Sequence, residues 1–441
     1  MESLVHQIIV EEVSLALGCT EPAAIALAAS LASGAVKGEV VSVDVFLDPN
    51  TFKNASAVHI PKAVECVGPE IASALGALGG DSKLGLQVLK RIRSKHLMAA
   101  KGLLQTDSVR ITVLPSKKGL WIQARVKKTL GKGEAIIAGY HSHVHRIKRN
   151  GKVVYRGEPP RPSTDVRRKL SRLSLTEIYA LTRHLDREDS QFLLEGLDVN
   201  LAIAHEGILK KSGLGVGAFF EGQIRKNNMA DDVISEAKML IAGAADARMG
   251  GLDMPVMATA GSGNQGIVVT LAIGAVARKY GCTKSKTARA LALGHLLTSY
   301  VKFYTGRLSA LCGCTIAAGI GTTAGVVNLL GGSFQQLEWA IQNVIGDITG
   351  IICDGAKQGC SLKLSTAAES AIRAALMAME GITIPAGEGL VGASIEQSIR
   401  NLSRISEAMR EVDRKFLEIL NERRILCHNT TEPSPCETVK L

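Results

Sequence analysis

LSALCGCTIAAGIGTTAGVVNLLGGSFQQL, residues 308–337, contains no charged side chain, and neither does MPVMATAGSGNQGIVVTLAIGAVA, residues 254–277. Each exceeds the roughly 20 residues that a helix needs to cross a bilayer. Both are dense in Gly, Ser, Thr and Asn and lack flanking aromatic belts. They read as buried helices of a globular domain, because a helix that is apolar all round also fits a protein core. A membrane-embedded carrier built on the two runs is the competing reading, and fractionation without detergent separates the two.

Working outward, strand signals fade after Leu173 and long Ala/Gly/Leu-rich segments follow, which predicts an all-helical domain over residues 173–425. Upstream, VVSVDVFLD, SVRITVLP and LWIQARVKK alternate like half-buried strands. AIIAGYHSHVHRIKRNGKVVY reads as a hairpin turning at Asn150-Gly151. A helix around Ala63–Leu78 is expected to cover one face of the sheet. Residues 36–172 therefore form an α+β unit, closed by the Pro- and charge-rich stretch GEPPRPSTDVRRK. Residues 1–35 are expected as two helices, over 4–17 and from Thr20 to about Ser33, carrying Cys19 and packing on the helical domain. A tail over 426–441, with Pro433 and Pro435, is expected to be loosely ordered. The fold class is α+β: N-terminal helices and a small mixed α/β-sheet domain joined to a larger all-helical catalytic domain.

The 441 residues suit two domains, and 46% hydrophobic with 21% charged residues is a globular composition. Aromatics are only 4%, so the core rests on Ala, Leu, Ile and Val, with Gly allowing close helix contacts. The net charge of +11 could steer an anionic substrate or nucleic acid. No aromatic platform or reading helix accompanies it, so a solvated basic face is expected, with no nucleic-acid or membrane partner. The start, MESLVHQIIVEE, has no basic region, and a secretory signal is not expected. Nine cysteines without the spacing of a disulfide scaffold point to a reducing cytoplasm, with thiols available for a metal cluster. A homo-oligomer is left open.

Four segments could carry chemistry. In LGCTEPAAIAL, Cys19 and Thr20 sit where a helix begins, with Thr20 as a plausible N-cap. The helix end should lower the pKa of Cys19 and make it a base or nucleophile; a structural cysteine beside an ordinary cap is the alternative. RLSALCGCTIAAG and IICDGAKQGC bring Cys312, Cys314, Cys353 and Cys360 within one region. The spacing is wider than in common zinc sites, whereas cluster thiolates can come from distant elements; small buried apolar cysteines remain the alternative. MATAGSGNQGI, residues 257–267, could hold a carboxylate at a helix start through Gly261, Ser262, Gly263, Asn264 and Gln265, or be a plain turn. In HSHVH, a strand would place His141, His143 and His145 on one face, as a metal site or a solvated patch. Lys302 and Arg307 could meet a substrate carboxylate, and Lys357 with Asp354 could tune a cluster or orient substrate, against a reading of structural ion pairs.

GCTEPAA, ATAGSGNQGI, TGRLSALCGCTIAAG and CDGAKQGC together resemble the L-cysteine desulfidase family, which is similar in turn to the α-chain of bacterial iron–sulfur L-serine dehydratases. The resemblance covers residues 1–425. It implies a 4Fe–4S cluster held by three cysteines, without pyridoxal phosphate. Carried over residue by residue, the ligands are Cys353, Cys360 and one of the CGC pair, Cys312 ahead of Cys314. The base role falls on Cys19. Cys353 and Cys360 stand closer together than in the serine dehydratases, which favours L-cysteine as substrate. The implied activity is β-elimination to pyruvate, ammonia and hydrogen sulfide. The substrate-binding set is then Thr20, Glu21, Gly261, Ser262, Gly263, Asn264, Gln265, Lys302, Arg307 and Lys357. A serine deaminase of the same fold and a non-enzymatic metal- or redox-sensing protein are the alternatives.

Overall fold

The computed structural model describes residues 3–60, 63–117, 119–159 and 164–429. The chain opens with α1 (Leu4–Glu12), capped by the Ser3 hydroxyl, which accepts from the His6 amide. The expected helix over 4–17 stops there. Residues Val13–Leu17 form strand β1, which pairs antiparallel with a strand far along the chain. A segment whose apolar residues fit a helix is thus extended, because ladder partners outweigh local propensity. After Gly18 the chain turns into α2 (Thr20–Gly34), which is buried along nearly its whole length.

The next elements are β2 (Val40–Leu47), α3 (Pro49–Ala55), the short pair β3 (His59–Ile60) and β4 (Ala63–Val67), α4 (Pro69–Gly79) and α5 (Ser94–Gln105). Residues 63–67, expected to be helical, are thus a strand, and the helix starts at Pro69, where proline suits a first turn. Then follow β5 (Val109–Val113), β6 (Trp121–Lys128), β7 (Gly131–Ala138), β8 (Val144–Arg149) and β9 (Lys152–Arg156). The six-stranded sheet has the order β5-β2-β6-β7-β8-β9, with β2 and β5 parallel and the other pairs antiparallel. Its inward residues, among them Val43, Val45, Ile122, Ala124 and Ala135, pack with α2 and α4 into one core. Gly76 of α4 permits that packing: a Cβ there would stand 2.2 Å from the Ala26 carbonyl oxygen. Helix α2 therefore lies on the sheet, and the expectation that it packs on the helical domain is corrected.

The remainder comprises α6 (Asp165–Ser171), α7 (Leu175–Leu181), α8 (Arg187–Leu209), α9 (Val216–Arg225), α10 (Val233–Met249), β10 (Pro255–Thr259), α11 (Gly263–Lys279), α12 (Lys284–Thr305), α13 (Ile316–Leu330), α14 (Phe334–Ile348), α15 (Cys360–Met379), α16 (Ile395–Ala408) and α17 (Arg410–Asn429). The two uncharged runs supply α11 and α13, both buried along most of their length. A Cβ at Gly321 of α13 would come within 2.2 Å of the Gly294 carbonyl oxygen of α12, so small residues set the approach of these helices. Among the described residues no helix is long and apolar enough to cross a membrane. The region is not wholly helical, because β10 joins β1 in a two-stranded ribbon.

A second core unites these helices with α1 and Cys19, while Ala24–Ala32 of α2 belong to the sheet core. The N-cap of α2 thus sits in one core and the body of the helix in the other. At the far end α17 returns to the sheet unit, where Leu417 joins its core. Helix α17 continues to Asn429; the rest of the expected loose tail, 430–441, lies outside the described residues.

Candidate active site

Two backbone contacts assemble the thiols. Leu311 and Ile352 form an isolated antiparallel bridge. Around it the Cys312 amide donates to Ile351 O at 3.0 Å, and the Cys353 amide to Ala310 O at 2.6 Å. The CGC and CDGAKQGC segments are therefore stitched side by side, and α15 begins at Cys360. Cys312, Cys314, Cys353 and Cys360 line one cavity, together with Cys19 at the start of α2. All five are free thiols. Among the described residues, no three of them lie within 4.8 Å of one another, the spread that a single ion would need. The donors form a wider, sulfur-only set, which fits a multi-iron cluster better than one zinc ion. Cys314 hydrogen-bonds to Cys312, which pulls Cys312 down to about 6 and pushes Cys314 up. Burial pushes Cys353 up and Cys360 up to about 12.

The second wall is the loop into α11. Gly261, at φ +79°, turns the chain after β10, and Ser262 occupies the N-cap position. Ser262 Oγ stands 3.7 Å from Cys314 Sγ. Gly261, Ser262, Asn264 and Gln265 line the cavity, and the Gln265 Oε1 atom is buried without a hydrogen-bond partner among the described residues. Gly263 is not part of the lining. It backs onto Arg248, where a Cβ would stand 2.5 Å from Nε.

Cations surround these walls. Lys302 is 2% exposed and has no ion-pair partner among the described residues. Burial lowers it to about 8, against the pull of Cys314, Cys353 and Cys312. Arg307 also lines the cavity, but its Nη2 donates to Glu12 at 3.0 Å. Glu12 takes a second cation, Arg167, at 3.2 Å. Lys357 is absent from the lining and pairs with Asp354. Lys363, one turn into α15, lines the cavity and reaches Asp354 at 2.6 Å. Spacing within DGAKQG could not show that the helix start turns Lys357 away.

Cys19 departs from its expectation. It is the N-cap residue itself, with no side-chain cap bond, and Thr20 Oγ1 donates to Glu21 Oε2 instead. Burial at 4% exposure pushes the thiol up to about 11, only partly offset by the Arg248 guanidinium beside it. Desolvation outweighs the helix end. Arg248 is the residue that the sequence reading missed. It donates to Gly18 O at 3.0 Å and to Asn264 Oδ1 at 2.9 Å, joining the Cys19 turn to the α11 loop. The available signal was a lone arginine closing the small-residue run AGAADARMGG.

The histidines separate. Strand β7 ends at Ala138 and β8 starts at Val144, so the shared strand face expected for His141, His143 and His145 does not exist. His143 Nε2 contacts Glu158 O at 2.9 Å and His145 packs near Trp121. His141 alone reaches the cavity, beside Glu21 and Asn54.

Buried thiols, a helix N-terminus and a buried lysine without an ion-pair partner among the described residues thus surround one cavity. The chain belongs to the serine dehydratase alpha chain family, whose model matches residues 84–418. Relatives named UPF0597 protein match nearly the whole length. That of Desulfatibacillum aliphaticivorans is 40% identical over 434 residues, 96% of this chain and 99% of the relative. That of Clostridioides difficile strain 630 is 39% identical over 417 residues, 93% and 97% respectively. The family match takes in the four clustered thiols and the α11 loop, and Cys19 lies before it.

Proposed function

We propose that this protein cleaves L-cysteine by β-elimination to pyruvate, ammonia and hydrogen sulfide, as an iron–sulfur lyase that uses no pyridoxal phosphate. The observation that carries the reading is the convergence of Cys312, Cys314, Cys353 and Cys360 on the cavity that Cys19 also lines. Cys312, Cys353 and Cys360 would hold a 4Fe–4S cluster, leaving Cys314 on the side facing Ser262. When bound, such a cluster supplies a Lewis-acidic iron with an open position for the substrate. A reducing cytoplasm is the compartment that these free thiols require.

The chain's own groups do the rest. The first amides of α11 and the Lys302 ammonium receive the substrate carboxylate. Arg307, tied to Glu12, helps hold the Gly261 turn, where a Cβ would meet its Nη1 at 2.7 Å. Cys19 takes the α-proton as its thiolate, with Arg248 the cation that stabilises that state. The electron pair of the broken C–H bond forms the C=C bond as the C–S pair leaves on sulfur. The resulting enamine gains a proton at Cβ, and the imine consumes one water to give pyruvate and ammonia. No oxidant is required.

The serine dehydratase alpha chain match favours a second reading, in which L-serine loses hydroxide at the same site. Anaerobic cluster reconstitution followed by pyruvate assay on both amino acids separates them. L-cysteine is expected to give pyruvate and sulfide in equal amounts at the higher kcat/KM; a higher kcat/KM for L-serine overturns the substrate assignment.

A further inference from the structure

The loop that leaves the sheet after β7 sends one side chain to the cavity. His141 is 9% exposed, and its Nε2 lies 3.8 Å from Glu21 Oε1. That separation is an ion-pair distance, too long for a hydrogen bond, and Nε2 has no hydrogen-bond partner among the described residues. Glu21 in turn is fixed from two further directions. Thr20 Oγ1 donates to Oε2 at 3.0 Å and Asn54 Nδ2 to Oε1 at 3.1 Å. Burial alone would raise this carboxyl, yet His141, the helix-start amide and Thr20 hold it down at about 2. Glu21 therefore remains an anion that orients the His141 ring, and Nε2, with no acceptor at hydrogen-bond distance among the described residues, is open to a ligand in the cavity that both side chains line. The dyad shares its cavity wall with Cys19, and the two residues stand on different elements.

We propose that His141, positioned by Glu21, is the acid that delivers a proton to Cβ of the enamine, a role separate from that of Cys19. This rests on the β-elimination reading. In the step, the His141 N–H bond breaks and a Cβ–H bond forms from the enamine C=C pair. The nitrogen lone pair closes the C=N bond that water then attacks. Cys19 releases the proton taken from Cα to solvent and the imidazole takes one up from solvent before the next turnover, so the protons balance and nothing is oxidised or reduced. A buried donor on one wall protonates one face of the enamine, whereas solvent would protonate both.

The test uses reconstituted enzyme and L-cysteine carrying tritium stereospecifically at Cβ, turned over in D2O. Wild-type protein is expected to give pyruvate with a chiral methyl group. His141→Asn is expected to keep its cluster absorption and its α-proton exchange within about threefold, release pyruvate about 100-fold more slowly, and give a racemic methyl group. Glu21→Gln is expected to lose chirality in the same way. A racemic methyl group from active wild type overturns this proposal alone, as does full chirality from His141→Asn. Equal loss of exchange and release in both variants also overturns it, by placing His141 at or before α-proton removal. No pyruvate from wild type with L-cysteine overturns the β-elimination reading and this proposal together.

Discussion

At the residue scale the decisive group is Cys19. Its place before Thr20-Glu21-Pro22 was legible, because that pattern marks a helix start. Its protonation state was not, since burial by distant elements and the approach of Arg248 set it. A thiol held at about 11 is a strong base once ionised but scarcely ionised at neutral pH. Its alkylation rate, followed by mass spectrometry on the apoprotein, should keep rising tenfold per pH unit from 7 to about 9.5; a plateau below about pH 8 would contradict the raised value. Cys19→Ala should retain the cluster and substrate binding yet lose about 100- to 10,000-fold in α-proton exchange. Iron loss in that variant would make Cys19 a ligand, and a loss below about tenfold would make it structural.

At the element scale, the Leu311–Ile352 bridge explains how two cysteine segments become one site. The motifs themselves were readable, but a single-residue bridge leaves no periodic signature. The same blindness turned Val13–Leu17 from helix to strand, since its partner β10 lies far along the chain. Cys353→Ser and Cys360→Ser should each lose the cluster absorption and nearly all activity, and an intact spectrum with full activity in either would refute their assignment. Cys312→Ser should lose the cluster while Cys314→Ser retains it, because an open iron leaves room for three protein thiolates. Equal loss would show the ligand count to be wrong. On α12, His295 is buried with its Nδ1 against Thr259 Oγ1 at 2.6 Å and its Nε2 unpartnered. Burial lowers it to about 3. The unfolded chain takes up a proton near pH 6.5 that the folded one refuses until about pH 3. Stability from this group is thus full above 6.5 and falls by about 1.4 kcal/mol per pH unit below it. Denaturant melts of His295→Gln should show a shallower slope between pH 6 and 4; an unchanged slope would deny the effect.

For the whole molecule, the sheet unit and the helical region were readable from strand alternation and from two uncharged runs. The way they interlock was not, because α2 and α17 cross between them. Lys53 of α3, 2% exposed, meets Asp413 of α17 at 2.5 Å. The Lys53 carbonyl oxygen lies close against Gly355, whose φ is +96° and where a Cβ would stand 2.4 Å from it. Helix α17 thus pairs with the α3 residue whose backbone packs against the thiol-bearing loop. Asp413→Asn strands a buried ammonium and should cost about 3–5 kcal/mol in chemical denaturation; a loss under about 1 kcal/mol would show that the pair is dispensable. The claim on which everything turns is that the five-thiol cavity holds a four-iron cluster with one iron open to the substrate. Mössbauer spectra of anaerobically reconstituted protein test it directly. With L-cysteine added, one of four iron sites should shift while three stay unchanged, and four sites that all remain as they were, or iron that never binds, would contradict the account.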